Sequence, residues 1–247
     1  MTRKSFNRMT AVIVCFLLFS CKKSSTDYIA PAPVTPVYKN KLVFVYRTDS
    51  SEGVAYKALM QNNGCGVTLI DEPALSAFNF ASYQLIVVGN NTDSTVGVPH
   101  WSSSDSLAVS TAAKPMLLMG HGGFLLGNKL NFSVNWDNSA VGSTASMIVL
   151  NGAANVYKSP KTIIVPANSQ LDLYNSTSGV VAVHFTFPNS AVELIGGLPA
   201  PSFTYTPVNF ESNRIGSFGY YSNINNMTQT GKDFMVNLSY YVGKLTL

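Results

Sequence analysis

Charge is scarce in this sequence. Asp, Glu, Lys and Arg together make up 11% of 247 residues, against about 25% in an ordinary soluble protein. Sixteen Lys and Arg outnumber twelve Asp and Glu, for a net charge of +4. The excess is local: Arg3, Lys4, Arg8, Lys22 and Lys23 crowd the N-terminus, opposed there only by Asp27, and the remaining charges balance. Nucleic-acid binders draw much of their affinity from clustered positive charge, so a neutral body excludes nucleic acid as a partner. Three cysteines, three histidines and two tryptophans leave little material for a disulfide framework or a His/Cys metal cluster. Hydrophobic residues are plentiful at 46%, enough for a large core, and this excludes generic disorder.

The N-terminal charges have a purpose of their own. Arg3, Lys4 and Arg8 precede the ten-residue apolar run 11–20, AVIVCFLLFS. A spanning helix needs about 20 apolar residues, so residues 1–20 read as an export signal. Leu18-Phe19-Ser20-Cys21 resembles the bacterial lipobox, which implies cleavage before Cys21 and a thioether-linked lipid on it. The Cys-Lys-Lys-Ser-Ser start is similar to that of Bacteroidota lipoproteins. Residues 21–37 then form a tether in which Pro31, Pro33 and Pro36 favour an extended spacer. On this reading the protein sits in the cell envelope, anchored by lipid at the outer membrane, with its periplasmic or surface face left open. Cys15 leaves with the signal and Cys21 carries lipid, so Cys65 is left without an intramolecular disulfide partner.

Residues 38–247 read as one α/β domain. The apolar runs 41–46 (KLVFVY), 67–70, 84–88 (QLIVV) and 115–119 (PMLLM) suit strands buried on both faces. Helical patterns alternate with them: 51–63, with Val54, Ala58 and Leu59 at helical spacing and Gly64 behind it, then 104–113. Alternating strands and helices argue a doubly wound, mostly parallel sheet. The second half differs. Residues 147–150, 162–165, 180–187 and 192–195 are β-rich segments between Asn, Ser, Gly and Pro, and 146–212 is read as a β-rich insertion. It adds antiparallel strands to one sheet edge or forms a small β-layer. A late strand at 214–220 and a helix at 228–245, with Phe234, Leu238, Tyr241 and Leu245 on one face, close the domain.

The segment 114–127, KPMLLMGHGGFLLG, resembles the strand–elbow–helix of class I glutamine amidotransferase-like domains. There a buried strand enters a glycine-rich turn that bears a Cys nucleophile. Glycines permit the turn, and the following helix N-terminus favours developing negative charge. The early strand order and the closing segment 213–242 are similar to the same superfamily, nearest its trehalose-utilisation-like branch. The resemblance implies a flavodoxin-like fold. It also implies a catalytic Cys that the chain lacks, since the elbow position falls on Gly120 or His121. The His-x-Glu pair of such enzymes is missing too: His184-Phe185-Thr186 has no acid. Cys65 lies at the strand end away from where open α/β sheets bind ligands. A Cys–His–Glu glutaminase is therefore not expected.

Ligands of open parallel sheets lie beyond the carboxyl ends of the strands. Those ends carry Asp49 after the first strand, Asn90, Asn91 and Asp93 after the third, and His100 and Trp101 further along the same loop. Gly120 and His121 follow the fourth, then Trp136 and Asp137, and Tyr220 follows the late strand. Aromatic plates beside amides and carboxylates suit a neutral, hydroxyl-rich ligand such as a glycan. The bland alternatives are tryptophans that anchor loops and asparagines that only make turns. Three functions follow: a binding or scaffolding module for a glycan or an envelope protein, a carbohydrate-active enzyme using His121 with a carboxylate such as Asp93 or Asp137, or a purely structural envelope protein. No metal or cofactor is expected, because His100 and His121 lack the spacing of a metal motif.

Overall fold

The computed structural model describes residues 36–92, 101–166, 169–184, 191–200, 204–212 and 214–247, and residues 37–247 form a compact unit by themselves. The signal, Cys21 and most of the tether, together with Asp93 and His100, lie outside the described residues.

The first half alternates as the apolar runs require. It contains β1 (Asn40–Tyr46), α1 (Ser51–Gln61), β2 (Cys65–Asp71), β3 (Leu85–Val88), α2 (Ser103–Thr111), β4 (Met116–Met119) and α3 (Gly120–Lys129). The second half gives β5 (Ser139–Thr144), β6 (Ser146–Val149), β7 (Gln170–Asp172), β8 (Ser178–His184), β9 (Val192–Gly197), β10 (Tyr205–Thr206), β11 (Val208–Glu211), β12 (Ile215–Phe218) and α4 (Gln229–Gly243).

Nine strands form one sheet in the order β2-β1-β3-β4-β12-β11-β9-β6-β7. The run from β2 to β12 is parallel; from β12 to β7 every pairing is antiparallel. The order reverses between β1 and β3, which places the switch point of the sheet there. A second sheet, β10-β8-β5, is antiparallel throughout. Both arrangements expected for the β-rich half therefore occur, as a wing on the main sheet and as a separate layer. That layer includes β5, upstream of the expected insertion.

Side chains alternate across the parallel strands. Leu42, Phe44, Leu85, Val87 and Leu117 pack with α1 and α4 residues such as Tyr56, Met60, Phe234 and Leu238. Val43, Val45, Ile86, Val88 and Leu118 pack on the other face with Val109 of α2 and Leu126 of α3. Helices thus cover both faces, as doubly wound strands demand. Among the described residues no helix is long and apolar enough to cross a membrane.

Two expectations change. α1 faces the sheet with Glu52, Gly53, Ala55, Tyr56 and Met60, while Val54 is 53% exposed. Gly53 decides the rotation, because an added Cβ would stand 2.9 Å from the Phe44 ring. Residues 162–165 form no strand. Their neighbour Lys161 donates its N–H to Asn237 Oδ1 at 2.7 Å, and Asn237 Nδ2 returns a bond to Lys161 O at 2.7 Å. Ile163 donates its N–H back to Tyr157 O at 2.9 Å, so a local turn beside a buried α4 side chain takes the place of a ladder.

Candidate functional site

Three turns meet above the carboxyl edge at the switch point: Arg47 to Ser50 after β1, Gly89 to Thr92 after β3, and the β4–α3 junction. At that junction β4 passes into α3 with no loop between them, and Gly120 takes φ +52°. Residues with a Cβ rarely adopt this region, and a strand–helix elbow needs it. The elbow residue is therefore Gly120, and His121 starts the helix behind it.

The volume above Gly120 is filled from the neighbouring turn. A Cβ on Gly120 would overlap Asn90 Oδ1 and stand 2.7 Å from the Cβ and Cγ of Asn90. The same Asn90 Oδ1 accepts the backbone N–H of His121 at 2.8 Å. Gly122 is equally constrained, since an added Cβ would overlap Thr92 Oγ1 and lie 2.7 Å from the carbonyl oxygens of Gly89 and Asn90. The two turns fit because one has side chains where the other has none.

Each turn has its own clasp. Glu52, 7% exposed in the first turn of α1, accepts the N–H of Asn90 through Oε2 at 2.9 Å. Burial drives its carboxyl up to about 7; the N–H groups of Asn90 and Asn91 pull it down, and Asp49 pushes it up again. Asn91 Nδ2 donates to the Asp49 carbonyl, which ties the turns after β1 and β3 together. Asp49 accepts the N–H of Ser51 at 2.8 Å and its hydroxyl at 2.9 Å, bonds that hold its carboxyl below the usual range. On the other side Trp101 Nε1 donates to Gly122 O at 3.2 Å and fixes the glycine turn from behind. A second buried acid lies at the same sheet edge. Glu72, 1% exposed, meets Arg47 at 3.2 Å. Burial raises it to about 7 against the pull of Arg47, with Asp105 and Asp71 adding to the rise.

The structure brings together Asp49, Asn90, Asn91, Gly120, His121 and Trp136 of the expected rim. The His121 ring lies edge-on between Trp136 at 4.8 Å and Tyr221 at 4.5 Å. Trp136 is half-buried and Asp137 exposed. Two rim residues are corrected. Trp101 is 3% exposed and spends its indole N–H on the elbow, so it anchors a loop and presents no ring face. Tyr220 is fully buried, with its hydroxyl donating to Ser146 O at 2.7 Å. The pleat turns its neighbour Tyr221 to the rim instead. Cys65 opens β2 at the far end of the sheet, buried beside the Tyr240 hydroxyl at 3.5 Å, and burial raises its thiol. His184 ends β8 against the Tyr205 ring, away from the elbow. Among the described residues no three His, Cys, Asp or Glu side chains converge as a metal would need.

Sequence reasoning missed Glu52, and of the Tyr220–Tyr221 pair it chose the buried member. An acid in a first helical turn is ordinary, and only the inward rotation of α1 makes Glu52 a support of the elbow.

Structure comparison places the domain among proteins of known architecture. It is similar to PurLQS from Thermotoga maritima at a TM-score of 0.56 and 10% identity, covering 82% of this chain and 98% of that one. It is also similar to a Thermoplasma acidophilum protein named after GMP synthase, at 0.53 and 10%, covering 84% and 96%. A glutamine amidotransferase of Thermotoga maritima matches at 0.52 and 7%, covering 85% and 100%. The fold is glutamine amidotransferase-like. No family model matches the sequence, nor does any curated protein. At these identities the likeness is one of fold, and function must be argued from the elbow itself.

Proposed function

We propose that this chain is a lipid-anchored cell-envelope protein whose amidotransferase-like domain binds or scaffolds and does not catalyse. The observation that carries the reading is Asn90 on the elbow. It occupies the space of any side chain on Gly120 and takes up the His121 N–H, the donor that an elbow enzyme offers to its oxyanion. A glycine elbow has no nucleophile, and a filled donor has nothing left for a developing charge. Within the superfamily we take the trehalose-utilisation-like branch as nearest, on the segment 213–242. The binding reading rests on Trp136 and Tyr221 against the His121 ring, aromatic edges on the sheet edge whose neighbouring turns carry Asn91 and Asp49, a mix that suits a neutral, hydroxyl-rich ligand. A body without net charge fits such a ligand.

Residues 37–247 incubated with glutamine should release no ammonia above buffer, and neither should Asn90→Ala; turnover by the unaltered domain would overturn the non-catalytic reading. Binding to a panel of neutral glycans should disappear with Trp136→Ala. If no glycan binds, the neutral-ligand form of the proposal fails. Labelled fatty acid should be incorporated by the full chain in a bacterial host and not by its Cys21→Ser variant.

A further inference from the structure

The neutral balance of the domain hides a separation of charge. The parallel strands give the sheet two unlike ends, and the charged side chains sort between them. Lys39, Lys41, Lys114 and Arg214 stand at the amino edge, where β1, β4 and β12 begin. α3 and α4 run back to that edge, and each brings a cation as it ends: Lys129 is the last residue of α3 and Lys244 the C-cap of α4. Lys39, Lys41, Lys129 and Lys244 are exposed. Helix C-termini attract cations, which accounts for Lys129 and Lys244 but not for the pair that starts β1. The two acids of this edge are occupied. Glu193 accepts the Tyr241 hydroxyl at 2.6 Å and Asn151 Nδ2 at 3.1 Å, and Glu211 accepts the N–H groups of Ser133 and Val134 at 3.0 and 3.2 Å. Asp49, Asp71 and Glu72 lie at the opposite edge, with Glu52 and Asp105 in the first turns of α1 and α2. Arg47 among them is paired with Glu72.

The chain enters the domain at the basic edge. Val37, 97% exposed, lies just before β1, and the sequence upstream carries Lys22 and Lys23 beside Cys21. A cleft of 670 Å³ opens at the same edge, with Phe210, Tyr240, Tyr241, Lys244 and Leu245 in its walls. Lysine and tyrosine join an apolar body to a polar tip and suit a boundary between water and lipid. The rim of His121, Trp136 and Tyr221 is at the other end of the sheet, about 20 Å away along β1. Residues 22–36 can span at most about 50 Å, so a lipid on Cys21 would by itself let either end of the domain turn to the membrane. Charge is left to select between them.

We propose that the amino edge of the sheet docks on a membrane surface of anionic phospholipid and so turns the elbow rim away from the lipid. The presence of the protein at a membrane rests on the lipid-anchor reading above; the docking surface does not, and it is tested on residues 37–247 with no lipid attached. At low salt this domain should sediment with vesicles of mixed phosphatidylglycerol and phosphatidylcholine, come off as salt rises, and ignore vesicles of phosphatidylcholine alone. A basic residue near an anionic surface contributes about a factor of five. Lys41→Ala and Lys244→Ala should therefore each lower the partition coefficient about fivefold, with circular dichroism unchanged. Lys232→Ala, in the first turn of α4 at the opposite edge, should leave it as it was. No binding to the anionic vesicles overturns the proposal, as does a loss with Lys232→Ala equal to that with Lys41→Ala. Capture by peptidoglycan or a DNA oligonucleotide but by no vesicle overturns it in favour of that polymer. Vesicle binding by the domain without lipid incorporation at Cys21 would sink the anchor and leave the surface standing. Trp101 and Trp136 both stand at the carboxyl edge, so nitroxide-labelled headgroups should not quench the tryptophan fluorescence of the lipidated full chain; quenching overturns the outward rim.

Discussion

Two neighbouring turns on the same sheet edge are built in opposite ways. After β3 the chain carries Asn90, Asn91 and Thr92, three polar side chains in a row; after β4 it carries Gly120, His121, Gly122 and Gly123, with three of four side chains missing. The glycine turn is where an elbow enzyme carries its reactive side chain, and the polar turn supplies the atoms that occupy that place. An elbow can thus hold its backbone geometry with no side chain of its own, provided another turn fills the space. The contrast also locates the stability of the region in the fit between the turns, with Glu52 clasping one and Trp101 the other.

That fit can be broken at each clasp. Trp101→Ala removes a buried indole behind the glycine turn and should destabilise the domain by about 3–5 kcal/mol in urea unfolding. Half-buried Trp136→Ala should cost clearly less, and equal losses would show that Trp101 holds nothing in particular. On the polar turn, Glu52 has a carboxyl raised from its ordinary 4.5 to about 7. A raised acid binds its proton more tightly in the folded state, so its contribution is complete below pH 4.5 and is lost as pH rises through about 7. Thermal stability should fall over that window, by about 3 kcal/mol for Glu52 alone, with Glu72 acting in the same direction. Glu52→Gln should remove about half of the slope and leave the share of Glu72; an unchanged slope would remove Glu52 as a source.

Filling the space between the turns is the next test. Gly122→Ala drives a methyl against Thr92 Oγ1 and two carbonyl oxygens, and should cost about 2–3 kcal/mol. The smallest effects belong to the plug. Asn90→Ala leaves the His121 N–H without its acceptor, for roughly 1–2 kcal/mol. Gly120→Ala should be less harmful with Asn90→Gly than alone, because the clash is removed while the cost of positive φ remains. Additive losses would show that the turns do not share the space.

The parallel half of the domain was legible because buried strands must be apolar on both faces, and KLVFVY, QLIVV and PMLLM are. The elbow was legible for the same reason, as a glycine cluster after such a strand. The antiparallel half was harder. β5 strings together small and polar residues that also suit turns, and the apolar 162–165 stretch returns the Ile163 N–H to Tyr157 O, next to the Lys161 that Asn237 holds, instead of joining a strand. Of the two tryptophans, the pattern offered no way to tell a loop anchor from a rim residue. Chain position led to the Tyr220–Tyr221 pair, but the expectation fell on the buried member, a one-residue error of the kind a two-residue pleat produces.

Composition, period and order along the chain were enough to assign the charge excess to the N-terminal segment, to call for a doubly wound α/β domain after it, and to show an elbow without cysteine or serine. They could not reveal that Gly120 is the elbow residue, that Asn90 fills it, or that Glu52 is turned inward to support the filling. Those facts depend on which residues meet across the sheet. Contacts between positions tens of residues apart arise from packing three-dimensional elements, and no local pattern carries them.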